Sequence, residues 1–171
     1  MCLRYTFARA WEDTKTIPLD KLEPDPLLKL SGVAITLAGV LEDAGLKELA
    51  YKIYAQGLGC MLNRASEPMQ IVTVDSPAIR LSLGDKIRAV SIAYKLGELA
   101  NILQKPLDEE ERWLTFCVQA LLITMSDGAE HRNVERKTFE ELELPSWAML
   151  NDFAAPFEAL GSFYARTGKL E

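Results

Sequence analysis

The sequence predicts an all-α fold in which antiparallel helix hairpins stack side by side as a solenoid, with long insertions between some of the helices. Three observations lead there. Residues 31–58, SGVAITLAGVLEDAGLKELAYKIYAQGL, divide at Ala44-Gly45 into two stripes of apolar residues spaced three and four apart, the mark of helices with one buried face. The small-and-large spacing of that first stripe returns twice further along, around Ala93-Leu96-Gly97 and from Phe157 to Gly168. The one strand-like stretch, Gln70 to Asp75, has no second strand to pair with and reads as loop. An irregular helical bundle is the competing architecture.

The elements follow in order. Tyr5, Phe7, Ala10 and Trp11 sit at mostly helical spacing, so residues 4–13 read as a half-repeat of one helix. Pro18, Pro24 and Pro26 rule out continuous helix over the next stretch, and helix resumes near Pro26 or Leu27, where a proline fits a first turn. In the hairpin of residues 26–62, Ala34, Leu37, Ala38 and Leu41 form one stripe; Leu46, Ala50, Ile53, Tyr54, Gly57 and Leu58 form the other. Gly45 stands where a helix end takes the left-handed conformation.

Residues 59–82 read as a long insertion. A distorted repeat follows over residues 83–125. Its first helix buries Ile87, Val90, Ala93, Leu96, Gly97 and Ala100, and its turn carries Gln104-Lys105-Pro106 in place of the usual glycine. Asp108 is the expected cap of the second helix, with Glu109, Glu110 and Glu111 as surface charges favoured by the helix dipole. Residues 126–146 read as a second, polar insertion opened by the turn dipeptide Asp127-Gly128. Asn151 or Asp152 begins a last helix, a half-repeat over 152–171, whose packing stripe is Phe157, Leu160, Gly161, Tyr164 and Gly168.

Composition bounds the function. A chain of 171 residues, 49% hydrophobic and 26% charged, is the size and character of one globular domain. A formal net charge of −6, with no long run of Lys and Arg, argues against a nucleic-acid partner. The longest apolar run, Leu114 to Met125, is too short and too interrupted to span a membrane. No secretory signal opens the chain, and its last residues stop just past a helix-end signal, as expected of a fragment of something longer. Cys2, Cys60 and Cys117 have neither disulfide-framework nor metal-ligand spacing and read as ordinary buried or half-buried thiols.

No catalytic constellation emerges. The single histidine, His131, lies in polar sequence without a nucleophile beside it, and no phosphate-binding glycine motif or Gly-x-Ser-x-Gly occurs. Trp11, Trp113 and Trp147 read as core anchors. The expectation is a non-enzyme without cofactor or metal.

The order Ala34, Leu37, Ala38, Leu41, Gly45, Ala50, Tyr54, Gly57, Leu58 resembles the tetratricopeptide repeat, a helix–turn–helix unit of about 34 residues. The first bulky place holds Ala34, and Leu62 stands at the closing proline. Such a resemblance implies a concave surface lined by the first helix of each repeat. Its outward residues here are Ile35, Gly39 and Glu42, then Tyr94, Glu98 and Asn101, then Glu158 and Ser162. The Lys–Asn–Arg clamp that chaperone-binding members close on a peptide carboxylate has no counterpart among them. Glu42, Glu98 and Glu158 would repel an acidic tail, so an apolar or basic extended segment suits the surface better.

Residues 85–103, 107–122 (LDEEERWLTFCVQALL) and 144–171 (LPSWAMLNDFAAPFEALGSFYARTGKLE) carry a closer resemblance. It is to the fungal mitochondrial inner-membrane adaptors of the i-AAA protease, the mitochondrial genome-required family. The resemblance implies repeats exposed to the intermembrane space that deliver unfolded or membrane-protein substrates to the AAA protease; the family's membrane anchor has no counterpart here. A structural assembly scaffold with one dedicated folded partner is the alternative. The terminal half-repeat, if left without its second helix, would pair with another copy by dimerisation or swapping.

Overall fold

The computed structural model describes residues 9–13, 26–62, 81–130 and 151–169, and among these residues all regular structure is helical. A short helix α1 spans residues 9–13. It is followed by α2 (Pro26–Asp43), α3 (Lys47–Met61), α4 (Leu83–Ile102), α5 (Leu107–Glu130) and α6 (Asn151–Thr167). Each of α2 to α5 packs on the helix that follows it, and α2 also meets α4. No described helix is long and apolar enough to cross a membrane.

The three-residue turn after α2 folds α3 back along it. Gly45 has φ +75°, Gly45 N–H donates to Glu42 O and Leu46 N–H to Leu41 O, which together satisfy the last carbonyls in a Schellman turn. The end of α4 repeats this with a different residue. Gln104 N–H donates to Asn101 O and Lys105 N–H to Ala100 O, and Gln104 itself takes φ +52°. The α6 end matches again, with Gly168 at φ +69° and Lys169 N–H donating to Tyr164 O. The three left-handed positions, 45, 104 and 168, each lie eleven residues after Ala34, Ala93 and Phe157, the three starts of the recurring spacing. At the other end of α4, Ser82 caps the helix by accepting from Asp85 N–H at 3.2 Å.

The interior faces are those the periodicity marks. Ala34, Leu37, Ala38 and Leu41 of α2 are buried against α3, as are Ala93, Leu96, Gly97 and Ala100 of α4 against α5. Two glycines set how closely the pairs approach. A Cβ on Gly57 would lie 2.7 Å from Ala34 Cβ, and one on Gly97 would lie 2.8 Å from a Leu114 methyl. Trp11, 1% exposed, closes this core from α1 and donates Nε1–H to Gln56 Oε1 at 3.1 Å. Between the hairpins, Trp113 Nε1–H donates to Tyr51 Oη at 2.7 Å, and Tyr51 donates to Glu109. Lys105 from the α4–α5 turn reaches Glu48 at 3.0 Å. Cys117 is buried and Cys60 half-buried, as the sequence suggests.

Several expectations are corrected. Helix α3 runs through Met61, so the insertion expected from residue 59 starts later, and residues 63–80 lie outside the described residues. Asp108 lies inside the first turn of α5, because the chain turns helical at Leu107, where Pro106 O accepts from Glu109 N–H. Asp127-Gly128 does not break α5, which continues to Glu130. One glycine costs a helix only about 1 kcal/mol, and cooperative propagation offsets that where no proline intervenes. Residues 131–150, with His131 and Trp147, lie outside the described residues, as do residues 4–8 and 14–25.

The face of α6 is also corrected. It packs through Pro156 and Phe163, both below 2% exposed, whereas Phe157 is 36% exposed and Gly161 is exposed. The register explains the reversal. Phe157, Leu160, Gly161 and Tyr164 match the stripes by which α2 and α4 meet their following helices, while Pro156 and Phe163 match Ile92 and Leu99, on another face of α4. Leu46, placed in the second stripe, is 39% exposed because it belongs to the turn.

Two stability outcomes follow. Gln104→Gly should stabilise the chain by about 1 kcal/mol, because a non-glycine residue at positive φ carries that strain. Gly57→Ala should destabilise it by roughly 1–3 kcal/mol, since Ala34 Cβ has no rotamer by which to withdraw. Gly32→Ala, where a Cβ meets nothing within 4 Å, serves as the helix-propensity control. Urea denaturation midpoints decide all three.

Candidate protein-binding surface

Helix α6 packs on α5 and touches the end of α4. Its C-terminal Arg166 bonds Asn101 at the end of α4 and, at 2.6 Å, Glu110 at the start of α5. The C-terminal end of α6 therefore lies close to the α4–α5 turn. The surface residues expected from the sequence lie on α2, α4 and α6, at equivalent positions of the recurring sequence spacing.

On α2, Ile35 is half-buried against the core, and Gly39 is open, a Cβ there meeting nothing within 4 Å. Glu42 is half-buried and accepts from Tyr54 Oη at 2.8 Å, so part of its function is to hold α2 to α3. On α4, Tyr94 is half-buried, Glu98 pairs with Lys95 at 2.8 Å, and Asn101 is engaged by Arg166. On α6, Glu158 and Ser162 are exposed. Burial, and then the neighbouring Glu98, hold the Tyr94 phenol above its ordinary value, with a smaller push from Glu158. Lys95 is held above the usual lysine range, first by its bond to Glu98 and more weakly by Glu42. Glu42, Glu98 and Glu158, from three helices, thus act on the neighbouring Tyr94 and Lys95 of α4.

Where α4, α5 and α6 meet, this surface deepens into a cavity of ≈ 240 Å³. Gly97, Leu114, Ala159 and Phe163 supply apolar walls, while Glu98, Asn101, Glu110, Ser162 and Arg166 supply polar ones. Three of these departed from expectation or escaped it. Glu110, expected on the surface with its two glutamate neighbours, is 6% exposed and bonded to Arg166. A signal existed, because Glu110 heads the buried stripe Leu114, Cys117, Leu121 at helical spacing. Arg166 and Phe163 gave no such signal; their roles depend on α6 docking, with the guanidinium 5.8 Å above the Phe163 ring. Among the described residues no group of His, Cys, Asp and Glu could hold a metal ion.

The two buried tyrosines give a pH signature. Tyr51 and Tyr54 are held well above the usual phenol range, chiefly by burial and then by their bonds to Glu109 and Glu42. Because the folded state holds these protons more tightly than the unfolded chain, their contribution is complete below about pH 10 and is lost as pH rises beyond it. Stability measured by urea denaturation should therefore fall from about pH 10 upward, and Tyr54→Phe should flatten the fall.

Comparisons with protein-family models, with curated proteins and with solved structures find no match to this chain.

Proposed function

We propose that the chain is a tetratricopeptide-like helical solenoid serving as a non-catalytic protein-binding adaptor, its binding surface formed by α2, α4 and α6. The observation that carries this is the common register of the three helices. Each is followed by a left-handed residue, at Gly45, Gln104 and Gly168, and counted back from it Ile35, Tyr94 and Glu158 share one register position and Gly39, Glu98 and Ser162 another. A surface of that kind, half apolar and open at Gly39, suits an extended polypeptide. The resemblance to inner-membrane adaptors of the i-AAA protease supplies the rest of the reading. Its substrates are unfolded or membrane proteins, its partner is the AAA protease, and its location is the mitochondrial inner membrane facing the intermembrane space.

A photoreactive residue in place of Tyr94 tests the binding surface. Denatured polypeptides should be captured in preference to folded controls, and Gly39→Gln, which fills the open position without touching the core, should abolish capture. Equal capture of folded and denatured chains, or capture indifferent to Gly39→Gln, would overturn the reading.

The scaffold alternative has its own observation. Leu46, Leu49, Ile102 and Leu107 are all exposed at the turn end of the two hairpins, around the Lys105–Glu48 pair. An exposed apolar edge of this kind suits a folded partner. A second copy of the chain is a further proposed partner, docking on the outer α6 stripe of Phe157, Leu160 and Tyr164. Sedimentation should then show a concentration-dependent dimer that Phe157→Glu dissolves; a wild-type monomer at high concentration would count against it.

A further inference from the structure

We propose that the cavity between α4 and α6 takes a lysine or arginine side chain of the docked segment, so that the adaptor selects basic extended polypeptides. The inference rests on the protein-binding reading above and specifies its ligand. At ≈ 240 Å³ the cavity falls below the roughly 300–1,000 Å³ usual for small-molecule sites and is suited to a single long side chain. Its chemistry is divided in the way a basic side chain is. Gly97, Leu114 and Phe163 offer apolar surface for a methylene stem, and Glu98 offers a carboxylate for the charged head.

Other occupants fit less well. A carboxylate would meet Glu98, Glu110 and, nearby, Glu158, while Arg166, the cation of the cavity wall, is already engaged by Glu110 and Asn101. A purely apolar side chain would desolvate the Glu98–Lys95 pair without adding a partner to the carboxylate. The existing partner of Glu98, Lys95, is an exposed neighbour on the same helix, a class of ion pair weak enough to exchange. Glu158 has no ion-pair partner among the described residues, and its charge is felt at Tyr94, so the surface leading to the cavity is acidic as well. Carboxylates here outnumber the cations Lys95 and Arg166, and charge complementarity selects the ligand.

Fluorescence anisotropy with three labelled ten-residue peptides, alternating Ile with Lys, Gln or Glu, tests this on the full chain. The Lys peptide should bind about tenfold tighter than the Gln peptide, the scale of one charge-assisted contact, and the Glu peptide weakest. Glu98→Gln and Ser162→Lys, both on accessible positions, should each remove most of the preference for the Lys over the Gln peptide. A charge-matched control, Glu12→Gln on α1, should retain it. Equal binding of all three peptides would overturn the inference and leave the protein-binding reading standing. An equal loss in the control would also overturn it, by showing attraction to net charge alone. Failure of every peptide to bind would overturn both.

Discussion

The close approach of each first helix to its hairpin partner is the constraint on which the rest of the structure depends. Where Gly57 meets Ala34 and Gly97 meets Leu114, no space remains for a Cβ. Interiors are packed to crystal-like density, so a methyl group added at Gly57 meets a rigid Cβ, whereas at Gly97 it meets a Leu114 side chain that must move aside. That spacing sets where Tyr54 reaches Glu42 and where Cys117 reaches the Val90 carbonyl at 3.4 Å. It also places Gly97 at the floor of the α4–α6 cavity, so the residue that lets α5 approach α4 also leaves room beside α6.

Polar contacts then tie the hairpins together without adding apolar area. The Trp113–Tyr51–Glu109 chain satisfies two buried donors in series, and Lys105 lies over the Tyr51 ring at 5.4 Å as well as reaching Glu48. Buried donors cost free energy unless partnered, so this junction specifies one relative placement of α3 and α5 more than it adds raw stability. At the next junction Phe163 provides the burial, and Arg166 bridging Asn101 and Glu110 orients α6 beside α4.

Much of the fold was legible from local pattern. The hairpin at Gly45, the buried stripes of α2 and α4, and the start of α2 at Pro26 all appear where periodicity and turn chemistry put them. Local signals failed where they competed with something they could not see. Asp127-Gly128 reads as a turn, yet an established helix carries through it. Gln104 is an ordinary helix residue by propensity, yet the hairpin needs a left-handed residue there, and the two turn hydrogen bonds hold it. Glu110 reads as a surface charge by type, although its position heads a buried stripe. The eight expected surface residues rest on register alone, and register gave no sign that three of them, Glu98, Asn101 and Ser162, line a cavity with Glu110, Phe163 and Arg166.

The sequence by itself determined that this chain forms amphipathic helices, where the first pair turns, and that one spacing recurs in α2, α4 and α6. These are properties of residues within a few positions of each other, which a single turn of helix brings together. Only the tertiary structure decided which of two adjacent apolar stripes α6 buries, and that Arg166 closes on Glu110 across 56 residues of sequence. Periodicity shows that a helix has an apolar face, but the neighbour that covers it comes from elsewhere in the chain. The cavity beside Glu98 exists only because that neighbour is α5.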